Sequence, residues 1–125
     1  MFVNYSNHLS SKWEERQIEA ARAYGRITDV PFPMVPPSAT EEEVETLAKD
    51  EAAKIAAMRP AAVLCQGEFT LVFCLVSILL QQDITVLSAC SERNTEERAG
   101  KDGKIETVYK FSFVKFREYR MVQWK

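Results

Sequence analysis

Residues 61–65 form an unbroken apolar run of strand length, and this run constrains the fold of the chain more than any other feature. A strand that is apolar on both faces has to be covered on both faces, which is typical of a parallel sheet between two helical layers. Parallel strands need crossover connections, and residues 69–82 follow directly with the length and apolar content of a buried helix. The run therefore predicts an α/β fold.

Strand and helix patterns alternate along the rest of the chain. Two capping boxes predict helix starts, one formed by Ser11 with Glu14 and the other by Thr40 with Glu43. In each, a hydroxyl and a carboxylate would satisfy amides that the first helical turn leaves unpaired. Gly25 fits a left-handed stop for the first helix. The predicted strands are residues 2–5, 26–30, 61–65, 84–88 and 105–119.

The last third of the chain combines a polar stretch with an aromatic strand. Residues 89–104 are mostly polar and contain an Asp-Gly pair, which indicates a loop. In the strand that follows, aromatic residues alternate up to Phe113, whereas Val114 and Phe116 fall on the other face. This change of phase indicates either a β-bulge or a strand that is covered on both sides.

The order of these elements predicts the topology. Right-handed crossovers place the first four strands in a parallel sheet, and the last strand is expected to pair antiparallel at an edge after a long hairpin. The expected strand order is 2-1-3-4-5, in a Rossmann-like three-layer sandwich with a mostly parallel sheet. A chain of 125 residues has the length of one domain, so we expect a single domain over residues 1–125.

Composition and charge exclude several classes of protein. The net charge of −2 gives no bulk electrostatic argument for binding duplex nucleic acid or a membrane surface. The longest apolar run, residues 69–80, is shorter than the roughly 20 residues that a bilayer-spanning helix needs. No signal-peptide pattern is present, so we expect a cytoplasmic protein. Three cysteines without CxxC spacing and a single histidine predict neither a disulfide framework nor a metal site.

The apolar helix predicted at residues 69–82 also bears on the oligomeric state. It is apolar nearly all round, so it is expected to be buried on more than its sheet face. A neighbouring helix or a subunit interface would provide the cover. We favour the interface, and therefore a homodimer, although a core helix would show the same pattern.

The topology selects a place for a ligand before any motif does. In such a sheet, ligands bind beyond the carboxyl ends of the strands at the topological switch point, here between the first and third strands. Three polar loops leave strand ends on that side, at residues 6–11, 66–70 and 89–93. Gly67 precedes a helix N-terminus, where free amides favour a phosphate. Glu68 would compete with a bound anion, and it fits the role of a helix cap equally well.

Two side chains in these loops are candidates for proton transfer or for phosphate binding. His8 is the only imidazole, so it is the natural general acid or base, although it also fits a surface hydrogen-bonding role. Arg93 could clamp a phosphate through its planar fork or form an ion pair with a neighbouring glutamate. No histidine follows Cys90, which argues against covalent catalysis at that thiol. Neither a Walker loop nor GxGxxG is present, and no cofactor is expected.

A resemblance to a known family rests on three segments: Gln-Gly-Glu-Phe at residues 66–69, Ala-Cys-Ser-Glu-Arg at residues 89–93, and the tail at residues 111–119. Together they resemble the small CRISPR-associated proteins of type III systems, which are Rossmann-like relatives of the CARF domains. Residues 7–10 and 30–33 are similar as well, so the resemblance spans most of the chain.

The resemblance implies a homodimer whose strand-end loops enclose a cyclic oligoadenylate second messenger. Some family members are ring nucleases, and they would cleave the ring, cyclic tetra-adenylate in particular, through metal-independent attack of a ribose 2′-hydroxyl, which switches off type III CRISPR signalling. Other members bind the messenger without cleaving it. Carried onto this chain, the resemblance implies catalytic roles for His8, Glu68 and Arg93. It implies ligand-binding roles for Asn7, Ser10, Gln66, Gly67, Thr70, Ser91 and Glu92. Ser11, at the end of the first strand-end loop, is a further candidate for ligand binding.

The residues and the resemblance therefore leave three hypotheses for the function of this protein. The first is a ring nuclease, and the second is a protein that binds the messenger and sequesters or reports it. The third is an unrelated Rossmann-like interaction protein, in which the strand-end residues serve only as caps and ion pairs.

Overall fold

A computed structural model describes residues 1–124 and shows a five-stranded sheet in the order β2-β1-β3-β4-β5. The first four strands are parallel, and β5 pairs antiparallel with β4 at one edge. The predicted α/β class and strand order are thus confirmed. The elements are β1 (Phe2–Ser6), α1 (Glu15–Arg22), β2 (Ile27–Pro31), α2 (Glu41–Ala57), β3 (Ala62–Cys65), α3 (Phe69–Gln81), β4 (Val86–Ala99) and β5 (Ile105–Glu118).

The two faces of the sheet bury separate hydrophobic clusters. Side chains alternate between faces along each strand, so Val3 and Val63 point to the side that α2 and α3 cover. Phe2 and Leu64 point to the other side, where α1 provides the helical cover. Because α1 has only eight residues, it covers only part of that face.

The two predicted capping boxes have different outcomes. Thr40 caps α2 as predicted, because its hydroxyl oxygen accepts a hydrogen bond of 3.1 Å from the Glu43 amide. The box of Ser11 with Glu14 is wrong. Residues 10–12 instead form a short 3-10 turn, and α1 begins only after Glu14, which makes no side-chain capping bond.

The predicted polar loop at residues 89–104 is also wrong. β4 continues through most of this segment, and it stays paired with β5 from Leu87 opposite Glu118 to Ala99 opposite Ile105. The connection between the strands is therefore only residues 100–104. The segment is polar because the outer part of this hairpin leaves the sheet and exposes both of its faces to water, and not because it lacks regular structure.

Of the two explanations predicted for the change of phase in the last strand, the β-bulge is confirmed. Cys90 pairs with Lys115, whereas the next residue, Ser91, pairs with Phe113, so Val114 is the extra residue. The bulge restores the phase of the strand, because Phe113 and Phe116 now lie on the same face with ring centroids 4.9 Å apart. Both rings belong to the side of the sheet that α1 covers, where Phe116 also packs against Phe2.

One side of the apolar helix α3 packs against the core, and its outer side is largely exposed to solvent. Leu71, Leu75 and Leu79 are fully buried, whereas Phe69 and Phe73 are 88% and 76% exposed. Residues 119–122 line a groove together with the outer side of α3, but they leave Phe69 and Phe73 largely exposed. Within residues 1–124, no helix combines the length and the hydropathy that crossing a membrane requires.

Candidate ligand-binding site

A pocket of about 590 Å³ opens beyond the carboxyl ends of β1 and β3, on the face of the sheet that α1 only partly covers. This is the switch point at which the topology predicts a ligand. Leu64 and Ala89 from neighbouring strands contribute apolar lining, and the segment between β1 and α1 contributes half of the polar residues. The lining residues are Ser6, Asn7, His8, Leu9, Lys12, Trp13, Glu14, Gln17, Leu64, Gln66, Ala89, Ser91, Phe111 and Phe113.

A buried polar network shapes the segment that follows β1. Asn4 is 1% exposed, and its amide nitrogen donates to the Asp29 carboxylate and to the His8 carbonyl, each at 2.8 Å. The Ser6 hydroxyl donates to the Asn4 side-chain oxygen at 2.7 Å and accepts from the His8 amide at 3.2 Å. These bonds hold the backbone of His8 on both its amide and its carbonyl side. The imidazole therefore sits on a rigid segment at the pocket wall.

Asp29 anchors the same segment at its other end. The Ser10 hydroxyl donates to the Asp29 carboxylate at 2.9 Å, and the Ser10 amide does so at 3.3 Å. Ser10 is thus committed to the protein's own structure and does not line the pocket. Because β2 carries Asp29 and lies next to β1, the parallel pairing of Asn4 with Asp29 brings the two side chains together.

Glu14 connects the pocket wall to the β-bulge. Its carboxylate accepts a hydrogen bond of 2.8 Å from the amide of Phe113, which lies 99 residues away in sequence. Phe113 is 4% exposed, so its amide needs a partner, and the bulge breaks the regular pairing with β4 at this point. This bond explains why Glu14 does not complete the predicted capping box with Ser11.

Lys12 and Trp13 lie between the first turn and the sheet. Trp13 is half-buried, with its ring edge-on to Phe2 at 6.2 Å and tilted against Phe116 at 6.4 Å, and it also lines the pocket. Lys12 is exposed and adds a positive charge to the same wall. No sequence motif marks Trp13 as a ligand-binding residue, so its contribution to the pocket becomes visible only from the tertiary structure.

Four of the predicted site residues meet in this pocket: Asn7, His8, Gln66 and Ser91. Asn7 and His8 follow β1, Gln66 follows β3, and Ser91 lies in β4 beside the bulge, so three different strands position them. The predicted residues that do not line it are Ser10, Ser11, Gly67, Glu68, Thr70, Glu92 and Arg93.

Glu68 is the N-cap of α3. Its carboxylate accepts bonds from the amides of Thr70 and Leu71, at 3.0 and 2.9 Å, and from the Thr70 hydroxyl at 2.6 Å. The hydroxyl first, and then the two amides, hold the pKa of the Glu68 carboxyl below its ordinary value. The amides that would bind an anion at this helix N-terminus are therefore occupied by the chain's own carboxylate.

Gly67 is required by packing. A Cβ atom at this position would come within 2.6 Å of the Phe32 ring, which is 5% exposed and packs against Tyr5. The absence of a side chain thus accommodates an aromatic ring of the core, which gives this glycine a role that needs no phosphate.

Arg93 and Glu92 lie on opposite faces of the β4–β5 hairpin. Arg93 places its guanidinium 4.7 Å from the centroid of the Tyr109 ring, one step beyond the pocket along the strand. Glu92 stands opposite Ser112. Of the two, Arg93 is on the face that carries the pocket residue Ser91, because alternate residues of a strand share a face.

Buried titratable groups also occur on the other face of the sheet. The Tyr5 hydroxyl donates to Glu51 at 2.6 Å, and burial followed by this bond raises the pKa of Tyr5. Burial raises the pKa of the Cys65 thiol to about 12. Neither group lines the pocket. Across residues 1–124, His, Cys, Asp and Glu form no group of three or more that could hold a metal ion.

One family model, described as the uncharacterized protein MJ1673 family, matches residues 1–117. Comparison with curated proteins and with solved structures gives no match. The match spans all the strands and helices that build the pocket except the last residue of β5.

Proposed function

This chain belongs to the uncharacterized protein MJ1673 family, and we propose that it binds cyclic oligoadenylate in the pocket beyond β1 and β3. The observation that carries this proposal is the meeting of His8, Lys12 and Trp13 in one cavity at the switch point of the sheet. The family match assigns no activity. The ligand class comes from the resemblance to small type III CRISPR-associated proteins, and the pocket's chemistry supports it.

The pocket offers each kind of contact that a nucleotide needs. Trp13 and Phe111 provide aromatic surface on which a base can stack. Lys12 provides a cation for a phosphate, and Asn7, Gln66 and Ser91 provide hydrogen-bonding groups for a sugar or a base edge. A volume of about 590 Å³ lies within the usual range of small-molecule sites, which is roughly 300–1,000 Å³.

Cleavage of the ring is the second candidate function, and the position of His8 favours it. In this reaction the ribose 2′-oxygen forms a bond to phosphorus, the bond from phosphorus to the 5′-oxygen breaks, and a 2′,3′-cyclic phosphate results. His8 would take the 2′-hydroxyl proton, and a proton must reach the leaving 5′-oxygen. Lys12 would stabilise the negative charge that develops on the phosphate oxygens. Because Glu68 and Arg93 lie outside the pocket, binding has more support than cleavage.

The test is incubation with cyclic tetra-adenylate in EDTA, with binding measured by the shift in melting temperature and products by chromatography. We expect cyclic tetra-adenylate to raise the melting temperature of the wild-type protein. We expect Lys12→Gln to weaken binding about tenfold or more. Lys49→Gln is the matched control, since Lys49 is an equally exposed lysine on α2. Absence of any shift with the wild-type chain would reject the proposal.

The same samples separate a binding protein from an enzyme. If linear products appear, His8→Ala should slow their formation by roughly 10²-fold or more while leaving the melting shift in place. Ser11→Ala is the control, because Ser11 lies on the neighbouring turn outside the pocket. Binding without products would establish a sequestering or sensing protein.

The proposal includes a homodimer in the cytoplasm. The outer side of α3 is the surface that favours dimer formation, because the helix carries no charged residue and leaves Phe69 and Phe73 exposed. This surface lies on the opposite side of the sheet from the pocket, so a dimer formed through it would leave each pocket open. Such a dimer differs from the one that the resemblance implies, in which the strand-end loops of both protomers enclose one ligand. Sedimentation of the wild-type chain and of Phe73→Glu tests it: we expect a dimer and a monomer, respectively.

A further inference from the structure

The outer part of the β4–β5 hairpin stands clear of the sheet. β4 pairs with β3 only at Val86 and Leu87, and beyond these residues β4 has β5 as its partner. We call residues 91–112 the outer arm. Almost all of its side chains are exposed, so it has little part in the core.

One face of the outer arm continues the wall of the pocket. Ser91 and Phe111 line the pocket, and alternate residues of a strand share a face. Arg93 and Tyr109 therefore lie on this same face, one step further out. The bulge at Val114 produces this arrangement, because it brings the outer aromatic residues onto the side of Phe116.

The chemistry of this face differs from that of the opposite face. Phe111 and Tyr109 are 68% and 56% exposed, and the Arg93 guanidinium lies 4.7 Å from the Tyr109 ring centroid. On the opposite face, Glu96 pairs with Arg98 at 3.0 Å and with Lys110 at 3.7 Å. Three charged side chains there pair with one another, whereas the pocket-side face places a guanidinium beside an aromatic ring.

We infer that Tyr109 and Arg93 form a second nucleotide subsite, which takes the base and phosphate of the nucleotide next to the one in the pocket. Residues two apart in a strand are separated by roughly 7 Å, so Tyr109 can stack on the base that follows the one at Phe111 in the pocket. The planar guanidinium suits both stacking and bidentate contact with a phosphate. The inference rests on the proposed function, because the first nucleotide must occupy the pocket.

The experiment compares adenosine monophosphate with cyclic tetra-adenylate as probes. Trp13 lines the pocket and reports occupancy by fluorescence, once the exposed Trp124 is replaced by Phe. We expect Tyr109→Ala and Arg93→Ala each to weaken binding of cyclic tetra-adenylate by about fivefold or more and binding of the monophosphate by less than twofold. Lys110→Ala is the matched control, since it removes a cation from the opposite face of the arm.

The outcomes separate the inference from the proposed function. If the monophosphate binds, and Tyr109→Ala and Arg93→Ala leave both affinities unchanged, the subsite is rejected while the pocket stands. If the two variants weaken both ligands equally, the residues belong to the pocket itself and the second subsite is likewise rejected. If neither probe binds the Trp124→Phe chain, the proposed function fails and the inference fails with it. Both variants replace exposed side chains, so an unchanged melting temperature should confirm that they are folded.

Discussion

The two faces of the sheet differ in how completely they are covered. On one face, α2 and α3 together bury a large cluster that includes Val3, Val63 and Leu75. On the other, the eight-residue α1 covers a smaller cluster around Phe2 and Leu64, and a polar pocket remains beyond it. The comparison indicates that the face covered by α2 and α3 supplies most of the stability. The face covered by α1 is less completely packed and leaves room for the pocket.

The largest effect should come from a cavity in the well-covered face. Leu75 of α3 is fully buried, and Leu75→Ala should lower the free energy of unfolding by about 2–5 kcal/mol. Gln81→Ala, six residues later in the same helix, is the control, because Gln81 is an exposed residue at the end of α3. Urea unfolding of both variants at one protein concentration measures the difference. A loss at Gln81 as large as that at Leu75 would contradict the account of a cavity in the well-covered face.

Gly67→Ala tests how tightly the loop after β3 packs against the core of the well-covered face. The new methyl group would clash with the Phe32 ring, so we expect a loss of about 1–3 kcal/mol in stability. The double variant with Phe32→Leu should recover part of that loss, because the smaller side chain removes ring atoms from the clash. Thermal unfolding of the single and double variants measures the coupling, and strictly additive losses would contradict this account of Gly67.

A smaller effect is expected on the open face, at Glu14. Glu14→Ala removes the partner of the Phe113 amide, and since Glu14 is exposed we expect a loss of about 1 kcal/mol. Hydrogen exchange at the Phe113 amide should accelerate in this variant. Glu14→Gln keeps an acceptor oxygen and should retain most of the protection. Unchanged exchange in Glu14→Ala would mean that the bulge does not depend on this carboxylate.

The difference between the faces also explains which features were predictable from the sequence. The run at residues 61–65 and the Thr40 cap depend on local patterns and on burial, so the fold class, strand order and start of α2 could be predicted. The position of Glu14 depends on an amide 99 residues away, and no local rule reveals that partner. The sequence of residues 89–104 predicts a loop, because polar residues on a strand with two exposed faces lack the alternation that identifies a strand.

The location of the candidate site was predictable from the sequence, but only some of the residues that line it were. The topology located it at the ends of β1 and β3, and polarity selected Asn7, His8, Gln66 and Ser91. Polarity also selected residues whose polar groups serve the fold, such as Ser10 with Asp29. Trp13 and Phe111 were missed as site residues because an aromatic side chain in a regular pattern indicates a core position. Only the short α1 and the bulge bring them to the pocket.

The smallest effect, at Glu68, decides between a cap and a catalytic group. Its hydrogen bonds lower the pKa, so its contribution to stability is present above the ordinary carboxyl pKa and is lost as the pH falls through the lower folded value. Glu68→Ala should therefore lower the melting temperature slightly at pH 7. At pH 3, the difference in melting temperature between this variant and the wild type should be smaller. Because Glu68 lies outside the pocket, cyclic tetra-adenylate binding and any cleavage should be unchanged. Glu68→Asp, which keeps a capping carboxylate, should recover most of the melting temperature. A loss of cleavage in Glu68→Ala at normal stability would instead assign Glu68 to the reaction and would require the ligand to extend from the pocket to the start of α3.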